Sequence, residues 1–328
     1  MPRLSVIVAL IGIFVLTGAA CVKVNVQNDE KADASDTSCV RHCVLLRAGE
    51  IEAIIGDGSR SRNHPGIWML TNEHRHFNVF HNRSSAMNGG GLRNRNPVVE
   101  QLDETSCVLK KESTEKDPTV IRAKFTAVAP YYLDYELETT DTQDRLGGLG
   151  HHSIGFANYT NSPSDIRIHY LSNGEWYAWV PAPYDKDGKF GGPGSSVAPN
   201  YVPKEDFEVW PEGWDDPSFW WYKRHDRGFD EPFFYGRFDD QVVIWVFDQP
   251  KMLRFFLSPI GGGPSLIPGL TSPAWDFEWI IPKKDYEVGR TYKFRCRIIY
   301  KPYEGDEDVL KEVRKTQAEL GYETVQKM

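Results

Sequence analysis

Histidine, tyrosine and arginine cluster in three short stretches of this sequence, and together these side chains can run proton transfer without a metal. The stretch "NEHRHFNVFHN" places His74, His76 and His81 within eight positions, with Arg75 between the first two. On a strand, His74 and His76 would share one face. In "HHSIGFANYTNSPSDIRIHYL", His151 and His152 precede Asn158, Tyr159 and Asp165, and His169-Tyr170 follows. In "FFYGRF", Tyr235 and Arg237 stand two apart, so a strand would project both to one face and Phe234, Gly236 and Phe238 to the other. Histidine exchanges a proton near neutral pH, tyrosine acts once its pKa is lowered, and arginine offsets an anionic intermediate. The residues expected to be catalytic on this reading are His81, His152, Tyr235 and Arg237.

Carboxylates and aromatic rings supply a second set. Asp276 and Glu278 in "AWDFEW" share a strand face, and Asp230-Glu231 lies just before the Tyr235/Arg237 segment. Glycoside hydrolysis needs two carboxyl groups about 5–9.5 Å apart, and residues i and i+2 of a strand lie roughly 6–7 Å apart at Cα. Aromatic residues make up 13% of the chain, with ten Trp, and "VWPEGWDDPSFWWYKR" holds Trp210, Trp214, Trp220, Trp221 and Tyr222. Flat rings beside charged groups suit the apolar faces and polar edges of pyranoses. His74, His76, Asn158, Tyr159, Trp221 and Asp276 are the expected substrate-binding residues.

Other chemistries lack their signatures. The sequence has no G-x-x-x-x-G-K-[ST], no H-E-x-x-H, no strand–G-x-G-x-x-G–helix and no G-x-S-x-G. "GGGL" (Gly89–Leu92) and "GGGP" (Gly261–Pro264) read as loops. Alternating histidines are permissive metal ligands, and Cys39 with Cys43 is not followed by a second close pair. No metal and no cofactor is expected. A net charge of -8 without a basic run argues against nucleic acid as a partner.

The elements that must position these residues are mostly strands. Ile51–Ile55, Ile121–Ala129, Tyr131–Thr140, Ile166–Leu171, Glu175–Val180, Gln241–Phe247, Leu253–Ser258, Phe277–Ile281 and Thr291–Tyr300 mix β-branched and aromatic residues between turn-forming clusters. They predict an all-β fold, a large antiparallel β-sandwich with long loops. In the last of them, Tyr292, Phe294, Cys296, Ile298 and Tyr300 fall on one face, with Lys293, Arg295 and Arg297 on the other, the pattern of a half-buried strand. Pro181–Phe219, rich in Pro and Gly, reads as a long loop. Asp306–Leu320 is the expected C-terminal helix, acidic in its first turn and followed by Gly321.

Arg3, the apolar stretch Leu4–Leu16 and the small residues Gly18-Ala19-Ala20 are laid out as a secretory signal peptide over residues 1–20. Cys21 then resembles the acylated cysteine of bacterial lipoproteins, although Gly18 stands where Leu is usual. Residues 21–38 are polar and suit a flexible tether, leaving 39–328 as one β-sandwich domain. The chain is therefore expected to be exported, as a cell-envelope lipoprotein or a secreted protein, touching membrane only through Cys21. Cys39, Cys43, Cys107 and Cys296 would be disulfides or buried thiols.

The tract from Glu231 to Tyr303, with "EPFFYGRF", "VFDQPKMLRFFLSPIGGG" and "SPAWDFEWIIPKKDYEVGRTYKFRCRIIYKPY", resembles a group of secreted β-sandwich proteins of polysaccharide-degrading bacteria, as does "GFANYTNSPSDIRIHYL". The β-rich layout with exposed His and carboxylate residues is also similar to the galactose-mutarotase-like supersandwich, whose members include sugar epimerases and domains of polysaccharide lyases and hydrolases. The resemblance implies a polysaccharide or oligosaccharide partner. The expectation is an enzyme acting on an acidic polysaccharide, a uronate lyase in which Arg237 offsets the carboxylate, His152 or His81 takes the C5 proton and Tyr235 protonates the leaving oxygen. Two alternatives stand beside it: a glycoside hydrolase or epimerase using paired carboxylates, and a non-catalytic glycan-binding lipoprotein.

Overall fold

The computed structural model describes residues 42–58, 64–81, 85–93, 95–146, 151–179, 196–200, 228–258 and 273–322. The leader, the tether with Cys21, Cys39, Trp221 and the Gly261–Pro264 segment lie outside them. In chain order the strands are β1 (Cys43–Ala48), β2 (Ile51–Gly56), β3 (Gly66–Asn72), β4 (Asn88–Gly89), β5 (Val98–Gln101), β6 (Ser106–Lys111), β7 (Thr119–Val128) and β8 (Tyr132–Asp141). There follow β9 (His151–Ala157), β10 (Ile168–Ser172), β11 (Glu175–Trp179), β12 (Ser196–Asn200), β13 (Phe233–Phe238), β14 (Gln241–Phe247), β15 (Leu253–Ser258), β16 (Ala274–Pro282) and β17 (Thr291–Pro302). The helix α1 spans Asp306–Leu320, and Gly321 closes it in the left-handed conformation at φ 60°.

Among the described residues the strands form antiparallel sheets of nine strands (β11-β10-β13-β14-β17-β8-β7-β6-β5), five strands (β12-β15-β16-β9-β4) and three strands (β1-β2-β3). Alternation along each strand builds the layers. Phe234, Trp245, Tyr300, Tyr135 and Phe125 of the nine-stranded sheet share one buried core with Phe255, Trp275, Phe277, Trp279 and Phe156 of the five-stranded sheet. At its centre Trp245 stacks on Phe234, with ring centroids 4.9 Å apart, and meets Trp275 edge-on at 6.0 Å. Gly236 is needed for close approach: a Cβ there would lie 2.1 Å from the Trp275 ring.

The outer face of the nine-stranded sheet is covered by α1. Val309 and Val313 pack on Tyr235, Val242, Ile244, Val246 and Ile299, and Glu312 accepts hydrogen bonds from Tyr131 (3.1 Å) and Tyr132 (2.9 Å). This changes the reading of β17. Its second face is open at Lys293, but Arg297 is buried under the helix, paired with Asp134 at 2.6 Å and Glu319 at 3.0 Å, with Tyr132 stacked 4.4 Å from its guanidinium.

The strands missed in the sequence include β1 and β3, which are apolar enough to have been read as strands, and others whose composition is not strand-like. β6 ends in two lysines, β9 opens on two histidines, and β12 (Ser196–Asn200) falls inside the Pro/Gly-rich stretch read as loop. β12 tolerates Pro199 because it is an edge strand, pairing with β15 on one side. His74 and His76 do not share a strand; they follow β3 in a turn and irregular segment.

Of the two alternatives for the cysteines, disulfides or buried thiols, Cys107 and Cys296 follow the second, being free and buried, and Cys43 is free but exposed. Burial pushes Cys107 up to about 12 and Cys296 well above the usual thiol range. In the native protein a thiol-alkylating reagent should therefore leave Cys107 and Cys296 unmodified, and denaturation should expose both, as peptide mass mapping would read. Modification of either at the rate of exposed Cys43 would contradict this packing.

Candidate active site

The residues with the best-matched acid–base properties meet where β9 ends against the start of β16. Trp275, Phe277 and Trp279 face the core, so Asp276 and Glu278 project from the opposite face of the five-stranded sheet. Asn158 sets the local geometry and is fully buried. Its Oδ1 accepts from the Met87 N–H and its Nδ2 donates to the Trp275 carbonyl, both at 2.8 Å. Its backbone N–H donates to Asp276 Oδ1, also at 2.8 Å. Tyr159 then pairs with Ala274 in an isolated bridge, which carries its ring beside Asp276.

Two further residues complete the cluster. Arg93 is exposed; its Nη2 lies 3.5 Å from the Tyr159 hydroxyl and 3.4 Å from His64 Nε2, with its guanidinium 6.0 Å from the centre of the Tyr159 ring. His64, Tyr159 and Asp276 are half-buried. With exposed Arg93 they form a cluster of one guanidinium, one imidazole, one phenol and one carboxyl group.

Each group is tuned by that position. Burial raises Asp276 to about 7, against the opposing pull of the Asn158 N–H and the Arg93 charge. Burial also raises Tyr159, helped by the Asp276 charge and opposed by Arg93, so the phenol keeps its proton at neutral pH. Burial and then Arg93 lower His64, which keeps the imidazole neutral. The result is a carboxyl group that exchanges a proton near neutrality, a phenol that can donate one, and an exposed guanidinium able to hold an anion.

Glu278, the strand-mate of Asp276, has a different environment. It is buried in an ion pair with buried Arg254 and accepts a hydrogen bond from Ser153. Of the two carboxylates that share this strand face, Asp276 is the accessible one.

The structure gathers some of the sequence-predicted residues here and places others elsewhere. Asp276, Tyr159 and Asn158 meet, and His81 adjoins them through its backbone N–H, which donates to the Tyr159 carbonyl at 2.8 Å. His152 lies at the other end of β9, half-buried, 3.5 Å from Asp141 and 5.6 Å from the Tyr286 ring, with burial lowering its pKa. Tyr235 is buried on the outer face of the nine-stranded sheet, stacked on His169 at 4.7 Å and hydrogen-bonded to Asp306. Arg237 shares that face, 4.2 Å over the Tyr303 ring. His76 is exposed. His74 is exposed too, 3.5 Å from Glu50 and 3.7 Å from Glu73. Those three bring ligand atoms within 4.8 Å of one another, but solvated Glu–His contacts of this kind form without a cation.

His64 and Arg93 are the residues that sequence reasoning missed. The only local signal was "GGGL" immediately before Arg93. Gly89 packs so closely on β9 that a Cβ would lie 2.0 Å from the Gly155 carbonyl oxygen, and this contact seats the turn from which Arg93 projects.

No protein-family model matches the chain, and no curated protein sequence does. Solved structures of similar strand layout include the GalM/aldose epimerase homologue from C. elegans, at 9% identity and a TM-score of 0.41, covering 80% of this chain and 100% of that one. A heparinase III matches at 10% identity and a TM-score of 0.44, covering 82% of this chain and 36% of that one. A polysaccharide lyase matches at 12% identity and a TM-score of 0.32, covering 82% and 35%. At such identities no residue role transfers, and the chemistry of the site rests on its own side chains.

Proposed function

We propose that this chain is a carbohydrate-active enzyme that cleaves an acidic polysaccharide by β-elimination at the Asp276 cluster. The observation that carries the reading is a half-buried carboxyl group with a pKa of about 7 beside a protonated phenol and an exposed guanidinium. Arg93 pairs with the uronate carboxylate and so favours loss of the proton on the adjacent C5. Asp276, in its carboxylate form, takes that proton. His64 is the weaker base because its Nε2 already faces Arg93. The C5–H electrons form the C4–C5 double bond, the C4–O bond breaks, and Tyr159 protonates the departing oxygen. The two transfers assist each other. Once Asp276 is neutral, the charge that helped hold the Tyr159 proton is gone, and the phenol becomes a stronger acid when one is needed.

The test is incubation with a panel of uronate polysaccharides, following ultraviolet absorbance of the unsaturated product. No absorbance change across the panel would overturn the elimination, and new reducing ends without a double bond would point to hydrolysis. The rate should also follow the ionisation of Asp276. It should rise with pH through about 7 and then level off, because the Tyr159 pKa is raised and its ionisation falls at higher pH. A profile that falls between pH 6 and 8 would exclude Asp276 as the base.

A further inference from the structure

On the outer face of the nine-stranded sheet, away from Asp276, lies an open cavity of about 600 Å³ lined by Ser164, Asp165, Ile166, Arg167, Arg237 and Asp239. We propose that it is a second, non-reacting ligand site that takes the carboxylate of an acidic saccharide on Arg237. The identity of the saccharide rests on the functional reading above; the site itself does not.

Charge matching around the cavity singles out Arg237. Arg167 is spent on Asp165, with Nε 2.8 Å and 2.9 Å from its two oxygens. Asp165 also contacts His169 at 3.2 Å, and Asp239 is paired with Arg75 at 3.1 Å. Arg237 has no such partner among the described residues. Its Nη2 makes one long hydrogen bond, 3.3 Å to the Asp239 carbonyl, and its buried Nε has none. A guanidinium with unfilled donors in a concave wall favours an oxyanion.

The guanidinium is also held ready. Its central carbon lies over Tyr303, 4.2 Å from the ring centre, and the Tyr303 hydroxyl is anchored to Asp306 at 2.7 Å. The Arg237 carbonyl accepts from the Ser164 N–H at 3.1 Å, which ties β13 to the segment forming the opposite wall. A stacked, planar fork loses little freedom on binding and matches a carboxylate better than a point charge would. The volume is within the range of small-ligand sites.

Acid–base chemistry is not provided for here. Asp165 is held below the usual carboxylate range: burial raises its pKa, but the Arg167 hydrogen bonds outweigh that, with the Arg167 and His169 charges assisting. The Tyr235 phenol nearby is pushed far up, by burial first and then by its hydrogen bond to Asp306. This site would grip one stretch of an acidic chain while another reacts at the Asp276 cluster.

Calorimetric titration of the full chain carrying Asp276→Asn, so that no ligand is consumed, tests the proposal. The probes are a uronate oligosaccharide, a neutral oligosaccharide of equal length and inorganic sulfate. Two binding events per chain are expected with the uronate, and adding Arg237→Gln should weaken one of them at least ~10-fold, the scale of a lost charge-assisted contact. If that variant folds poorly, Arg237→Lys, which keeps the charge but loses the fork, should weaken the same event with an unchanged melting temperature. A titration indifferent to both Arg237 variants would overturn the site. Equal binding of the neutral sugar, or of sulfate alone, would overturn the ligand class. Failure of the elimination reading would instead appear as an absent unsaturated product, with the Arg237-dependent event intact.

Discussion

Asp276→Asn is expected to lower turnover on an acidic polysaccharide by about 10²–10⁴-fold, the range contributed by a positioned general base, without loss of the fold. The amide is close in shape to the carboxyl group, and its oxygen can still accept the Asn158 N–H that Asp276 accepts at 2.8 Å. Stability measurements separate this role from a structural one. Burial raises Asp276 to about 7 in the folded chain, whereas an unfolded aspartate titrates near 3.9. Between those values the folded state holds a proton that the unfolded state releases, so this group's contribution to stability falls as pH rises through that window. At pH 8 the wild type carries a half-buried carboxylate and the variant does not. Asp276→Asn should therefore melt at the same temperature or higher at pH 8, with the difference vanishing near pH 4. A variant of normal turnover, or one that melts earlier at pH 8, would remove Asp276 from the mechanism.

The second large effect is on stability. Trp245 is fully buried in the central strand pair β13–β14, against Phe234, Trp275 and Phe80. Trp245→Ala should cost about 3–5 kcal/mol, because the surrounding rings come from both sheets and cannot all close over the space. Trp245→Phe should cost much less than Trp245→Ala. The indole N–H is buried with no hydrogen-bond acceptor among the described residues, so removing it relieves a desolvated donor while most of the apolar volume stays. Denaturant titration of both variants checks the pair. An alanine variant no worse than the phenylalanine one would place Trp245 outside the load of the core.

The sequence was most readable where one physical rule governs a segment. Gln241–Phe247, Leu253–Ser258 and Asp306–Leu320 have the same bounds in the structure as in the sequence reading, because β-branched and aromatic runs, or an acidic first turn with a closing glycine, leave one option. The alternation at Tyr235 and Arg237 was likewise legible, and both side chains do share a face. What covers that face was not legible: α1, arriving from far along the chain, buries Tyr235 and Arg297. The proposed active site was legible as a set of residue types, His, Tyr, Arg and a strand carboxylate, but not as the particular residues. Tyr159 is brought beside Asp276 by its bridge to Ala274, 115 positions away, and Arg93 and His64 reach them through glycine contacts and turns that have no periodic signature. Distance in sequence hides a cluster whose members each look like ordinary surface residues.

The strand order of the nine-stranded sheet has a consequence for how this protein is made. β17 sits between β14 and β8, so the last strand to be synthesised is the one that joins β5–β8 to β10–β14. Until it emerges, β8 and β14 each present an open edge, and the two halves have no hydrogen bonds to each other through this sheet. The sheet therefore cannot close until Thr291–Pro302 has been made, and such long-range pairing is slow. During that interval the open edges of the growing chain are where aggregation would begin.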